Sequence, residues 1–226
     1  TSQGIRACVM ALSWFTCNVS QKLHWPDTPA TQIRPSLLSM ETLRSESIPQ
    51  VREGDWFRVL DQYELDVTRF LNQVGRLPLL HRCMPWISRS GDGVFWYTLM
   101  AAIFLFGGQQ GRLVAIQMAV TAIVGVAVYK LLKNTLLRAR PFITHPEICR
   151  LTAPLDYYSF PSGHTLHAVA FTLVSGAWYP MLLWITFPFM LLVAMSRVLL
   201  GLHYPSDVMA GALIGAALAS LSLSLV

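Results

Sequence analysis

The sequence predicts an all-α protein: a polytopic membrane helix bundle of five spans, or six if an N-terminal stretch also crosses, with an interfacial amphipathic helix ahead of it. Three observations carry this. First, 54% of the 226 residues are hydrophobic and 13% charged, against roughly 45–50% and about 25% in soluble domains. Second, of 29 charged residues, 19 lie in the first 93 positions and 10 in the remaining 133, and from Tyr157 to Val226 only Arg197 and Asp207 carry charge. Third, five long apolar stretches are separated by turn residues. The formal +5 is spread thinly rather than clustered on a basic face, so no nucleic-acid partner is expected. Disorder and collagen-like repeats are excluded by the same composition.

In chain order, residues 1–53 mix Pro, Ser, Thr, Gln and both charge signs without apolar periodicity and read as a flexible N-terminal extension. The candidate span Ala7 to Val19 is interrupted by Ser13, Thr16, Cys17 and Asn18 and falls short of the ~20 apolar residues a crossing needs. No secretory signal pattern stands out. Residues 54–90 form an amphipathic interfacial region: Trp56, Phe57, Leu60, Tyr63, Val67, Phe70, Leu71 and Val74 recur at helical spacing, opposite Arg58, Asp61, Glu64, Arg69, Asn72 and Gln73. Such a helix belongs on a membrane surface or against the bundle.

Residues 91–226 form the transmembrane core. After a turn at Gly91-Asp92-Gly93, apolar stretches run from Val94 to Gly108, Leu113 to Leu132, Gly163 to Tyr179, Met181 to Leu200 and Val208 to Val226. Thr165 to Leu202 holds 38 residues and one charge. As one helix it would measure about 57 Å, nearly twice the ~30 Å hydrocarbon core, so it folds back, at Tyr179-Pro180. Gly211 and Gly215 form a small-x-x-x-small pair that lets helices approach closely. The four cysteines, Cys8, Cys17, Cys83 and Cys149, have no C-x-x-C spacing and read as free thiols. Trp56, Trp86, Trp96 and Tyr97 read as interfacial anchors.

Three polar clusters sit at span ends: Lys133-x6-Arg140-Pro141 after the second span, Pro161-Ser162-Gly163-His164 opening the third, and Ser196-Arg197-x5-His203-x3-Asp207 between the fourth and fifth. Helix order puts all three on one membrane face. Lys133, Arg140 and Arg197 are cations with few carboxylates nearby in sequence, so an anion with several oxygens is needed to neutralise them. Phosphate fits, with Arg giving bidentate donors and Lys a point charge. Ser162 and Gly163 stand at a helix start, where backbone N–H groups and the dipole favour an anion. Asp207, four residues after His203, can fix its tautomer and leave the other ring nitrogen nucleophilic. His164 can protonate a departing oxygen.

This tripartite pattern resembles the type 2 phosphatidic acid phosphatase superfamily, the integral-membrane lipid phosphatases of bacterial type. The motif resemblance covers Lys133 to Asp207. It implies His203 as nucleophile, His164 as acid/base, Asp207 as orienter of His203, and Lys133, Arg140, Ser162, Gly163 and Arg197 as phosphate holders. The implied activity is hydrolysis of a phosphomonoester or diphosphate of a membrane lipid (phosphatidate, phosphatidylglycerol phosphate, undecaprenyl diphosphate or lipid A type) through a phosphohistidine. The implied setting is a bacterial inner membrane, with the bilayer and the lipid substrate as partners. No cofactor and no metal are expected. Tyr157, Tyr158 and Phe160 are candidates for the substrate entrance.

Two other functions remain open: lipid-to-lipid phosphotransfer on the same site, and a non-catalytic anion-binding or transport protein. Orientation is open too. The resemblance implies six spans and a site facing away from the cytoplasm. Five spans would put residues 1–93 and most later cations on the site's face, which the positive-inside rule makes cytoplasmic. His167, three residues after His164, lacks a third ligand at metal-binding spacing and reads as a packing or lipid-pathway residue. His24, His81 and His145 read as surface residues. Gly107, Gly108 and Gly111 lack a G-K-[ST] ending and read as a turn.

Overall fold

A computed structural model describes residues 55–226. The expectations for the extension, the Ala7 to Val19 stretch, Cys8, Cys17 and His24 lie outside the described residues, as does the Trp56 side chain. The described chain is helical: α1 (Asp55–Gly75), α2 (Pro78–Arg89), α3 (Phe95–Phe106), α4 (Gly108–Leu136), a one-turn α5 (Pro141–Thr144), α6 (Gly163–Trp178), α7 (Leu183–Leu199) and α8 (Pro205–Ser224). A π turn, Ser90–Val94, joins α2 to α3, and a 3-10 turn, Pro180–Leu182, reverses the chain between α6 and α7, where Tyr179-Pro180 was expected to do so.

The centre of the bundle is α6. Eleven of its sixteen residues are buried, and α4, α7 and α8 pack around it. Its contact with α8 is close because a Cβ at Gly211 would stand 2.5 Å from the Ser162 carbonyl oxygen, and one at Gly215 would stand 2.3 Å from that of Leu166. The small-residue pair thus presses the start of α8 against the start of α6, bringing the second and third motifs together. Trp96, Met118, Phe171 and Val193 from four helices fill the core between them. Outside, Leu113, Ile123, Leu131, Trp184, Ile185 and Leu213 are exposed, an apolar outer surface that a soluble protein would not carry.

Among the described residues, three helical segments are long and apolar enough to cross a bilayer: Gly108–Thr144, which takes in α4 and α5, Pro180–Leu199 and Pro205–Ser224. The other two expected spans, α3 and α6, have twelve and sixteen residues, about 18 and 24 Å at 1.5 Å per residue. Five spans are therefore not all met by length.

The amphipathic helix α1 docks mainly through its polar face, with Leu71 and Val74 packed against the cluster of Met84, Leu199, Leu200 and Leu202. Its buried stripe is Asp61, Glu64, Thr68, Asn72 and Gly75, whereas Val59, Tyr63, Val67 and Phe70 point outward. Asn72 explains part of this. Its side-chain amide donates to the carbonyls of Cys149 (2.9 Å) and Leu199 (3.1 Å), and its oxygen accepts from the Cys149 N–H at 2.9 Å. The bundle end offers polar partners, so the polar face docks.

Two sequence readings are corrected. Trp96 is fully buried against Phe95, Phe171 and Phe189 rather than anchored at an interface, while Trp86 and Tyr97 are exposed as expected. Cys83 is a free, exposed thiol, but Cys149 is disulfide-bonded.

Candidate active site

Two turns aim the charged side chains inward. At the end of α4, Leu137 takes a left-handed conformation (φ 49°), unusual for a residue with a branched side chain. It stops the helix so that Arg138 and Arg140 turn back under the bundle. At Gly201 φ is +72°, and a Cβ there would stand 2.6 Å from the Cys149 carbonyl oxygen. That turn lets the N–H groups of Leu202 and His203 both donate to the carbonyl of Arg197, at 3.1 and 3.2 Å. Arg197 and His203 are thereby held side by side.

From the first motif, Lys133 is buried with its Nζ 2.7 Å from Asp156 Oδ2. Arg140 is buried and donates to the carbonyls of Leu202 (2.7 Å) and Asp156 (2.9 Å), with Nη1 3.3 Å from His203 Nε2. From the third motif, Arg197 is buried, donates to Ser88 Oγ and has a buried Nε with no partner among the described residues. Among the described residues no carboxylate bonds to Arg140 or Arg197. Burying a cation without a counter-charge is costly, so these guanidinium groups point to an anionic ligand.

His203 is buried between Arg140 and Asp207. A guanidinium only donates, so Nε2 is an acceptor and carries the lone pair; the proton is then on Nδ1, which stands 3.5 Å from Asp207 Oδ2. Asp207 is itself fixed: Oδ2 accepts the Tyr204 N–H at 2.8 Å as the capping residue of α8, and Oδ1 accepts from Arg138 at 2.5 Å. Burial, then the charges of Arg140, Arg197 and Lys133, push the His203 pKa well below 6.5, so its ring is neutral at pH 7.

The second motif opens α6. Ser162 precedes the helix, donates its backbone N–H to the Asp207 carbonyl at 3.0 Å and shares a hydroxyl hydrogen bond with Thr165 at 3.0 Å. Gly163 begins α6 beside the Tyr129 ring. His164 Nε2 bonds to Asp92 of the π turn. His164, Asp92, Asp156, Gly163 and His167 line a cavity of about 260 Å³, walled by Trp96, Tyr97, Tyr129 and Phe171. His167 packs along it with Nδ1 2.8 Å from the Gly163 carbonyl. Among the described residues no cluster has metal-binding composition.

The three motifs thus meet at one end of the bundle. Asp92, Asp156, Arg138, Asp61 and Glu64 also belong to the charged end and were not singled out from the sequence as site residues. Asp92 had one available signal, a lone carboxylate between two glycines at the turn before α3. Asp156 was visible as the one anion of the loop that follows Arg150. Tyr157 and Tyr158 stack edge-on, with Tyr157 exposed; neither they nor Phe160 line the cavity, whose contribution from that loop is Leu155 and Asp156. His145 stands 3.9 Å from Glu147 and edge-on to Tyr204.

The family model of the PAP2 superfamily matches residues 113–226. An undecaprenyl-diphosphatase of Sulfolobus acidocaldarius is 28% identical over 169 residues, covering 72% of this chain and 78% of that one. The crystal structure of Aquifex aeolicus LpxE superposes with a TM-score of 0.64 at 28% identity, covering 72% of this chain and 95% of the other. The transmembrane PAP2-type phosphatidylglycerolphosphate phosphatase of Bacillus subtilis gives 0.53 at 25% identity, covering 71% and 85%.

Proposed function

The chain belongs to the PAP2 superfamily, and from that premise we propose that it is an integral-membrane lipid phosphatase using His203 as nucleophile. One observation carries the catalytic reading: His203 Nε2 lies 3.3 Å from Arg140, a partner that can only donate to it, while Nδ1 faces Asp207 Oδ2 at 3.5 Å. That is the arrangement an in-line attack on a bound phosphoryl group needs.

Lys133, Arg140 and Arg197, with the Ser162 hydroxyl and the Gly163 backbone N–H, hold the phosphoryl oxygens and stabilise the charge they gain in the transition state. The Nε2 lone pair of His203 forms the N–P bond as the P–O bond to the lipid side breaks. His164 gives a proton to the departing oxygen, and Asp92, bonded to its Nε2, holds the ring in place. Water, deprotonated by the now neutral His164, then attacks phosphorus; the N–P bond breaks and its electron pair returns to Nε2. Asp207 stabilises positive charge on His203 while it is phosphorylated. The cavity beside His164 receives the leaving group.

The relatives' names span an undecaprenyl diphosphate and a phosphatidylglycerol phosphate, so the substrate class is a phosphorylated membrane lipid, whose phosphate lies at the interface and whose tail lies in the bilayer. We place the protein as a multi-pass protein of a bacterial inner membrane, with α1 seated on the lipid surface through Tyr63, Val67 and Phe70. Tyr157, Tyr158 and Phe160 guard the approach from solvent rather than the cavity wall.

The test is phosphate release by purified protein from phosphatidate, phosphatidylglycerol phosphate, undecaprenyl diphosphate and lipid A, with His203→Ala as blank. Release from at least one, unaffected by chelator, is expected. No release from any substrate contradicts the hydrolase reading, and release that chelator abolishes contradicts the cofactor-free mechanism.

A further inference from the structure

The least expected contact at the charged end comes from α1, a helix outside all three motifs. Arg138 sits between Lys133 and Arg140 in sequence, yet its surroundings differ from theirs. Its guanidinium is fully buried and bonds to Asp61 and Glu64 of α1 and to Asp207 of α8, with its plane over the Tyr204 ring at 4.2 Å. Glu64 reaches further. It accepts the Ser206 backbone N–H at 2.8 Å and the Ser206 hydroxyl at 2.6 Å, and that hydroxyl lies 2.7 Å from Arg138 Nη1. Glu64 therefore holds both the cation that bonds Asp207 and the first turn of the helix that carries Asp207.

This is an unusual way to dock a helix. A helix held by the hydrophobic effect alone buries its apolar stripe, but α1 buries Asp61, Glu64, Thr68 and Asn72 and leaves Val59, Tyr63, Val67 and Phe70 outside, with Leu71 and Val74 packed on the apolar cluster of Met84, Leu199, Leu200 and Leu202. Two carboxylates buried on one guanidinium gain little net stability over an apolar contact of similar size. What such a contact does supply is geometry: it fixes where Arg138 stands, and so which oxygen of Asp207 is occupied. Oδ1 goes to Arg138, leaving Oδ2 to accept the Tyr204 N–H and to face His203 Nδ1 at 3.5 Å.

We propose that α1 is a positioning element of the catalytic site, in which Asp61 and Glu64 fix Arg138 and Ser206 and through them the orientation of Asp207 toward His203. None of these α1 groups touches the phosphate. The inference rests on the reading of His203 as nucleophile and Asp207 as its orienter, and it assigns a task to a helix that precedes residues 113–226, the stretch the family model matches.

The experiment uses full-length protein in lipid nanodiscs and measures kcat, KM and melting temperature for Asp61→Asn, Glu64→Gln and the milder Ser206→Ala, each alone and combined with Asp207→Asn. On the inference, each single variant lowers kcat, Glu64→Gln by about ten-fold or more, while KM stays within about two-fold, since an orienting contact acts on the chemical step. In the Asp207→Asn background the same changes cost little further, because residues acting through one group are not additive. Full additivity in that background, a loss confined to KM, or unchanged kcat in all three single variants overturns the inference. Should the carboxylate variants melt well below the wild type, Ser206→Ala, which removes one hydroxyl from the network, decides by the same criteria. A wild-type protein inactive on every lipid phosphate overturns the functional reading and this inference with it; an active wild type with additive variants overturns this inference alone.

Discussion

Arg138 and Arg140 stand two residues apart, both buried, and have opposite surroundings. Arg138 is surrounded by three carboxylates, whereas Arg140 bonds to two backbone carbonyls and a histidine ring. Arg197, across the site, resembles Arg140: a serine hydroxyl on one nitrogen and, among the described residues, no partner on another. Arg138 has its counter-charges supplied from within the protein, whereas Arg140 and Arg197 are left without a bonded carboxylate among the described residues beside His203. Cation content alone does not mark a phosphate site; the cations whose counter-charges are missing do.

The largest expected effect lies at His203, beside the two cations without a bonded carboxylate. His203→Ala should lower phosphate release by about 10⁴-fold or more, as for other nucleophiles that act within a catalytic group, with the protein still folded. Arg140→Met and Arg197→Met should each cost roughly 10²–10³-fold in kcat/KM, the usual loss for one donor to a developing oxyanion.

The same substitutions sharpen the comparison when stability is measured. Arg138→Met removes the partner of three buried carboxylates and should destabilise by about 3–5 kcal/mol. Arg197→Met removes a cation without a carboxylate partner and should leave the melting temperature unchanged or raised. Inorganic phosphate should raise the melting temperature of the wild type and of Ser206→Ala, but not of Arg197→Met, by linkage to the folded state. Equal destabilisation by both arginine variants would erase the distinction between the two kinds of arginine.

A smaller effect tests the leaving-group side. Asp92→Asn should lower kcat by about 10–100-fold, below the roughly 10²–10⁴-fold of direct acid–base assistance because Asp92 acts through His164, with KM little changed. The pH profile supplies a fourth check. A histidine whose pKa is depressed stays neutral and nucleophilic as pH falls, losing its lone pair only below its folded pKa. His203 is shifted well below 6.5, so no acid limb of kcat/KM at or above pH 6.5 should vanish in variants that alter His203's surroundings. The smallest change is expected at Tyr157, Tyr158 and Phe160: alanine there should alter kcat/KM by less than about three-fold, since none lines the cavity.

What was legible in the sequence follows from distance along the chain. His203 and Asp207 are four residues apart at a helix start, and Lys133 and Arg140 bracket a helix end, so local geometry relates them before any fold is known. The fold-back at Tyr179-Pro180 was legible because 38 apolar residues exceed a bilayer. Asp92, by contrast, meets His164 across 72 positions, and Glu64 meets Ser206 across 142. Neither pairing leaves a periodic or spacing signal. The apolar periodicity of α1 was visible, but which face docks depends on what the bundle end offers, and buried Arg138 is known only once α4 and α8 are assembled. Trp96 was misread for a similar reason: an aromatic near a span end suits an interface, but α3 is short and its first turn packs against Phe171 and Phe189.

The central claim, that Arg140 and Arg197 deliver a phosphoryl group to His203, is tested most directly by rapid acid-free quenching of purified protein turning over a ³²P-labelled lipid phosphate. The account predicts protein-bound label that is stable in alkali, released by mild acid, and absent in His203→Ala. Active enzyme that yields no protein-bound label, or label that persists in His203→Ala, would contradict it.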